Sequence, residues 1–505
     1  MTPTRRALLA AGAALPFLRG TATRAQASNG ILRFGLSAFP PNLQPWVSTG
    51  ASAGTVKMLI HRRLVSYDSK GELRGELAES FARQDDGSWL FKLRPDAKFQ
   101  NGEPVTADDI KWNIEQIAGE RSTAYMRAQF QQVTRIETPD QHTLRLHTGE
   151  PVASLPHWFA GYNMGLIWRK SEANAPVGAG PFRIAGQERG TSVDLVAVPN
   201  HYSGLPKLKG IRFVVYADEN LRAAALQSGD VDMIEYVPWQ SMNMVEAEPR
   251  LKLDAVEGPF MDVLFNGTKG PFADARVRRA VAHAIRREDI VKAAFFGRGK
   301  VLEGLPIVEG TPWYDAELAR GWAYDPARSK ALLAEAGVGG GFSTTILATA
   351  QFGMHKDTAE VVQQHLAAVG IQAELRLPDW STRVSLGTRG QYEIAIHGVS
   401  AENNDPDGLT SVLDPSLSPS HGRSFGVQAP RTAALLAEGR RELDQAKRVE
   451  IYKNMQRAAL EEVPLVGLAW RSQGYGMATG VQGFTNLPGA LSTTSGAMLE
   501  ATYFG

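Results

Sequence analysis

Asp86-Gly-Ser-Trp-Leu-Phe-Lys-Leu-Arg-Pro-Asp-Ala-Lys-Phe99, continued after Gln100 as Asn101-Gly-Glu-Pro-Val-Thr-Ala-Asp-Asp-Ile110, puts two kinds of secondary structure side by side. Trp89–Arg94 alternates in the way of a half-buried strand, and the Asp86-Gly87 turn opens it. Thr106 stands three residues before Asp109, so its hydroxyl and that carboxylate can satisfy each other's backbone N–H groups at a helix start. Ile110, Ile114 and Ile117 then follow at i, i+4 and i+7, one apolar helix face. A strand and a helix that each have one apolar side must be buried against other layers, which is the pattern of an α/β domain.

The same reading extends both ways. Ile31–Leu36 reads as a strand broken at Pro40-Pro41, and strands recur at Thr143–His147, Val193–Val198 and Ile211–Tyr216, around a Gly-rich turn at Val177–Phe182. Asp274 can cap a helix striped by Val277, Val281, Ala284 and Ile285. Asp325-Pro326 is a cap followed by proline at the first helical position, and that helix ends at Gly337. Lys356–Val369 reads as a helix stopped by Gly370 and leading into a strand, Ile371–Leu377. A short strand, Tyr392–His397, and one long helix, Arg441–Glu461, complete the pattern. The chain is mixed α/β throughout, with no repeat of roughly 20–50 residues.

Composition narrows the function classes. At ~150 residues per domain, 505 residues suggest about three domains. Fifty-four basic residues against 53 acidic leave no basic excess for nucleic acid. The absence of cysteine removes disulfides, thiolate-bound metal and a cysteine nucleophile. Thr4-Arg5-Arg6-Ala7 followed by an apolar run to Leu18, then Arg19, Arg24 and the small-x-small Ala25-Gln26-Ala27, resembles a bacterial twin-arginine export signal. Cleavage after Ala27 would leave residues 28–505 and, by removing four arginines and no acid, turn a formal charge of +1 into −3. The apolar run is short for a bilayer span, and no later segment is long enough; Pro151–Trp168 is interrupted by His157, two prolines and Asn163. With no cysteine to carry a lipid, the expectation is a free, exported protein in the periplasm.

Catalytic signals are sparse. Gly422-Arg-Ser424-Phe-Gly426 matches the G-x-S-x-G string of serine hydrolases, but that chemistry needs a strand entering a sharp turn and a helix leaving it. Here Ser416–Gly422 is a polar loop and Ala429-Pro430 follows, so an exported hydrolase acting through Ser424 is the different-class alternative. His142 and His147 fall on opposite faces of a strand and cannot easily share a metal. No zincin, phosphate-loop or dinucleotide motif is present, so neither catalytic residues nor a metal or cofactor are expected.

Several segments in order resemble the extracellular solute-binding proteins of family 5, the peptide/nickel-type receptors of ABC transporters. They are Leu77-Ala-Glu-Ser-Phe81 through Ile110, Gly178–Phe182 with Asn200-His-Tyr-Ser-Gly204, and Ala224-Ala-Leu-Gln-Ser-Gly-Asp-Val-Asp232. Asn266–Ala284 with Pro271-Phe-Ala-Asp-Ala-Arg-Val-Arg278, Tyr324-Asp-Pro326 and Gln364-His-Leu-Ala-Ala-Val-Gly370 continue the series. The resemblance implies a two-lobed periplasmic-binding-protein-like fold of type II, with an extra domain on the first lobe and the ligand in the cleft between lobes. By analogy, lobe I takes 28–73, 178–262 and 473–505, the accessory domain 74–177, and lobe II 263–472, with crossovers near Gly258–Asn266 and Trp470–Gln473. The implied activity is capture of a small solute by lobe closure and delivery to an inner-membrane ABC permease, by a monomer that binds no nucleic acid and breaks no bond.

The resemblance also implies ligand contacts. Peptide binders of the family carry W-x-x-D-x-x-[DE]-P, whose first acid pairs with the ligand's α-amino group. This chain reads Val399-Ser-Ala-Glu402-Asn403-Asn-Asp405-Pro406-Asp407, which puts Glu402 at the ammonium position, Asn403 and Asp405 beside it, and Val399 in place of the tryptophan. Trp380 matches a tryptophan that flanks the pocket. Ser48, Thr49 and Gly50 follow the first strand, where hydroxyl and backbone groups meet an extended ligand. The arginine that dipeptide binders place before the helix at 356–369 is missing from Leu347–His355, leaving His355, Lys356 or Arg383 to compensate. A short peptide or other amino-bearing solute leads; a sugar, an opine or a nickel chelate is the alternative.

Overall fold

Two long strands, Leu251–Phe265 and Val466–Ala478, pass side by side from one half of the molecule to the other. The computed structural model describes residues 30–124, 126–172 and 176–505, so the export segment at 1–27 lies outside the described residues. The two strands run antiparallel, and their register slips between Glu257 and Phe260 and again at Met261/Asp262. Gly258-Pro259 occupies the first slip. Proline brings no N–H to the ladder, and a Cβ at Gly258 would meet the carbonyl oxygen of Gly489 at 2.0 Å. Only glycine lets the C-terminal tail lie directly on this point of the strand.

One eleven-stranded sheet is continuous through both lobes. On the first side of the slip, Met233–Ile234 pairs with the second crossover strand and with Ile31–Leu36; Gly210–Val215, Ser192–Ala197 and Phe182–Glu188 follow. On the other side, Ile394–Val399 pairs with the first crossover strand, and Phe342–Leu347 and Ile371–Arg376 extend it in parallel. A separate four-stranded antiparallel sheet, from Ala78–Arg83, Trp89–Leu93, Thr143–Thr148 and Val133–Asp140, forms the accessory layer. It packs on the helix Ala107–Ala118, whose start carries the Thr106/Asp109 capping box expected from the sequence. Leu487 and Leu491 of the tail join the accessory core, whereas Ala490 between them joins the core of the second lobe.

Caps at Asp274 and Asp325 start helices Ala275–Ala284 and Pro326–Glu335, as the sequence reads. One expectation needs correction. The helix read as Arg441–Glu461 is present as Gln445–Glu462, starting four residues later, and a separate helix, Pro430–Arg441, precedes it. Asp444 accepts the N–H of Lys447 and caps the second, so the chain turns at 442–444, where the apolar stripe gives no warning. That turn places Arg440 and Arg448 on either side of the loop that follows strand Ile394–Val399.

Candidate functional site

The loop 400–410 is built by its own side chains. Asn403 accepts the N–H of Asp405 (2.9 Å), Asp405 accepts that of Asp407 (2.9 Å), and the backbone N–H groups of Glu402 and Gly408 donate to Gly408 and Asp405 carbonyls. A Cβ on Gly408 would stand 2.9 Å from Asn403 backbone atoms, which is why the loop turns so tightly there. Two arginines tie it to its lobe: Arg448 grips both oxygens of Asp405 at 2.5 and 2.8 Å, and Arg440 Nε donates to Asp407 at 2.7 Å. Of the two residues expected from the family pattern as ligand contacts, Asp405 has both carboxylate oxygens held by Arg448, and Asn403 uses its Oδ1 to accept the Asp405 N–H within the loop.

Glu402 is different. Its backbone is fixed, yet among the described residues no cation lies within salt-bridge distance of its carboxylate, and burial pushes its pKa up to about 7. The side chain is surrounded by protein but keeps some accessible surface. The same loop meets the first lobe and the accessory domain. Ser154 donates to Asp407 (2.6 Å), Ser400 to the Ala490 carbonyl (3.1 Å), and the Ala490 N–H to Asn404 (2.8 Å). Tyr67, hydrogen-bonded to His157 at 2.9 Å, has its phenol raised by burial and then by the negative charges of Asp405 and Glu402.

A second cluster lies toward the crossover strands. Trp380, half-buried at the start of helix Trp380–Thr388, contacts the rings of Phe352 (5.5 Å), His355 (5.6 Å) and His421 (5.9 Å), with the Arg383 guanidinium 5.6 Å from its centroid. Below it, His397 shares a hydrogen bond of 3.1 Å with Asp262. Burial pushes the Asp262 carboxyl up and the His397 imidazole down, both toward neutral forms. His355 and His421 are lowered the same way, His421 to about 4. Of the residues considered for a ligand carboxylate, Arg383 gives its two terminal nitrogens to the Ile396 and His421 carbonyls, Lys356 pairs with Glu360, and His355 is buried.

On the first lobe, Ser48 N–H donates to Thr123 (2.8 Å), Thr49 to the Asn42 carbonyl (3.3 Å), and Gly50 has φ +96° just before helix Ala51–Ile60. These contacts fix the loop against the accessory domain; no hydrogen bond among the described residues joins the three to the second lobe. Two features went unnoticed in the sequence. Tyr236 holds a positive φ of 50°, a strained setting for a non-glycine residue, and Arg471 lies buried in the middle of a crossover strand. A single charge inside the apolar run Val463–Met477 was the available signal.

Ser424 is not arranged as a nucleophile. Its hydroxyl donates to the Pro464 carbonyl (2.6 Å) and accepts the Phe265 N–H (3.0 Å), stitching irregular chain to a crossover strand. Among the described residues no group of three or more His, Asp or Glu side chains is placed to hold a metal, and no helix is long and apolar enough to cross a membrane.

Residues 72–418 match the family described as bacterial extracellular solute-binding proteins, family 5, middle region. The glutathione-binding protein GsiB of Escherichia coli (strain K12) is 27% identical over 443 residues, covering 84% of this chain and 86% of that protein. Among solved structures, the periplasmic-binding protein AgaA of A. tumefaciens R10 in complex with agropinic acid is 36% identical. It superposes with a TM-score of 0.86 over 94% of this chain and 99% of that one. MoaA from the same source, in complex with mannopinic acid, is 25% identical with a TM-score of 0.79, over 94% and 99% of the two chains.

Proposed function

The chain belongs to family 5 of the bacterial extracellular solute-binding proteins, and from that premise we propose that it is the periplasmic receptor of an ABC importer for a small amino-bearing solute. It takes up the ligand with the lobes apart, closes about the crossover strands and, as a monomer, hands the closed complex to the permease. The observation that carries this reading is Glu402, an enclosed carboxylate without a cation, on the loop where the lobes meet. A ligand ammonium would supply the missing partner, and closure would make that pair strong by excluding water.

A second reading concerns the ligand alone. The 36% identity to the agropinic acid complex exceeds the likeness to the glutathione-binding relative, and it favours an opine-type acid over a simple peptide. The missing arginine in Leu347–His355 and Val399 in the tryptophan position point the same way. Native mass spectrometry of the purified chain, looking for a retained small molecule, distinguishes the two by mass.

Glu402→Gln is expected to weaken an amino-bearing ligand by about tenfold or more, roughly 1.4 kcal/mol, measured by titration calorimetry. Unchanged affinity would remove Glu402 from the site. The wild type should also show a pH signature. With the carboxyl buried as in this structure, Glu402 is raised to about 7, and a bound ammonium lowers that value, so pairing releases a proton whenever the carboxyl is protonated. Affinity for a cationic ligand should therefore rise from pH 5 to about 7 and level off above it, with the slope lost in Glu402→Gln.

A further inference from the structure

Buried arginines in this protein follow one rule, and Arg471 breaks it. Arg287 donates to the carbonyls of Leu302, Gly467, Ala282, Ile285 and Trp322. Arg278, Arg222, Arg383 and Arg423 likewise hold backbone carbonyls, while Arg62, Arg63 and Arg448 grip carboxylates. Arg471 is only 6% exposed, yet among the described residues its guanidinium has no hydrogen bond to any oxygen. One terminal nitrogen touches the thioether of Met354, a weak acceptor, and Nε has no partner. A guanidinium buried without an oxygen is costly, so the folded protein has reason to hold it only if something else completes it.

Its position says where that partner comes from. Arg471 sits in the crossover strand beside the register slip, opposite Gly299. It touches Met354 of the second lobe and lies near Tyr236 from the first lobe and Asp262 from the neighbouring strand, while burial lowers its pKa to about 10. Asp262 does not neutralise it, because that carboxyl bonds His397 and its other oxygen is itself unpartnered. His355 Nδ1, Arg383 Nε and Gln473 Oε1 are further buried polar atoms without partners in the same region. Such orphans are uncommon in native proteins, and several around one strand segment mark polar groups that lack partners within the folded chain. Trp380 packs its ring against two of these residues, His355 and Arg383.

We propose that Arg471 is the anion anchor of the ligand site, taking a carboxylate of a small organic acid at the hinge end of the cleft. The unpartnered Asp262 and Gln473 oxygens favour hydroxyl or amide N–H donors near that carboxylate. This deepens the receptor reading and rests on it: the solute carries an acid group as well as an amine, which a neutral sugar does not.

The test uses the full chain, with agropinic acid, mannopinic acid and glutathione as probes in titration calorimetry. Arg471→Met should weaken any acid that binds the wild type by about a hundredfold or more, and Arg471→Lys should weaken it less, because lysine keeps the charge but loses the fork. A structural arginine would lower the melting temperature of the ligand-free protein when removed. An unpaired ligand anchor should leave it unchanged or raised, while the ligand-induced rise in melting temperature disappears. Should Arg471→Met fail to fold, that failure counts as a structural role and overturns the anchor. An acid bound equally by wild type and Arg471→Met overturns it too, and if Glu402→Gln still weakens that acid the receptor reading survives. Loss in Arg471→Met alone, with Glu402→Gln unaffected, keeps the anchor and removes Glu402. Failure of all three acids to bind the wild type counts against the acid ligand and leaves the receptor an amino-bearing solute without a carboxylate.

Discussion

Replacing Arg448 by methionine is expected to cost about 3–5 kcal/mol of stability, because it leaves Asp405 ionised, buried and alone. The side chains of both partners are almost fully enclosed, 6% and 7% exposed, so water cannot take over the role of the guanidinium. Burial by itself would lower the pKa of Arg448; the adjacent Asp405 more than offsets this and raises it, which says that each charge depends on the other. Methionine keeps most of the packing against Trp313 and Tyr452 but loses the cation–π contacts at 5.1 and 5.0 Å and the bond to the Gly439 carbonyl. Asp405 caps the turn Pro406–Leu409 and so shapes the loop that carries Glu402. Ligand affinity should fall with stability. Differential scanning calorimetry of the ligand-free protein measures the first effect. Adding Asp405→Asn to Arg448→Met should recover much of it, since no buried charge then remains. A melting profile unchanged by Arg448→Met would show that the pair is not what holds the loop.

That pair shows where sequence reading stops. The caps at Thr106, Asp274 and Asp325 were legible because each is a local exchange between a side chain and backbone N–H groups a few residues away. The strand Trp89–Leu93 and the apolar face of Ile110, Ile114 and Ile117 were legible because period follows from local geometry. Asp405 and Arg448 lie 43 residues apart, and nothing in their spacing shows that a turn at 442–444 brings them together. Asp405 fits the family motif by residue type, and a motif does not record which atoms the fold leaves free. Glu402 and Asp405 stand in one short acidic segment, and only the fold shows that one carboxylate is fully engaged and the other is without a cation. Arg471 escaped for the opposite reason. Its segment read as a crossover strand, and a charge inside an apolar strand carries meaning only when its hydrogen bonds can be counted.

Ser154→Ala should lower ligand affinity by about tenfold or more while leaving the fold of either lobe intact. The Ser154 hydroxyl donates to Asp407 at 2.6 Å across the interface between the accessory domain and the second lobe. Asp407 is already held from its own side by Arg440 (2.7 Å) and Thr410 (2.9 Å), so removing the serine strips one cross-lobe contact and no intralobe one. A buried hydrogen bond to a charged group contributes about 1.5–3 kcal/mol, whereas the neighbouring Glu150–Arg441 pair is 65% and 44% exposed and adds little. With the lobes apart, water solvates both groups, so the loss falls on the closed form alone. Where the ligand-free receptor is mainly open, the whole difference passes into the dissociation constant, through faster release more than slower capture. Calorimetry with agropinic acid or glutathione gives the affinity, and stopped-flow fluorescence gives the release rate. An unchanged dissociation constant would mean that the lobes are held together by something other than this contact, or that the receptor rests closed without ligand. Small-angle scattering of the ligand-free protein separates those two: a compact profile identical to that of the liganded form identifies a resting closed state, and an expanded one shows that Ser154 contributes nothing to closure.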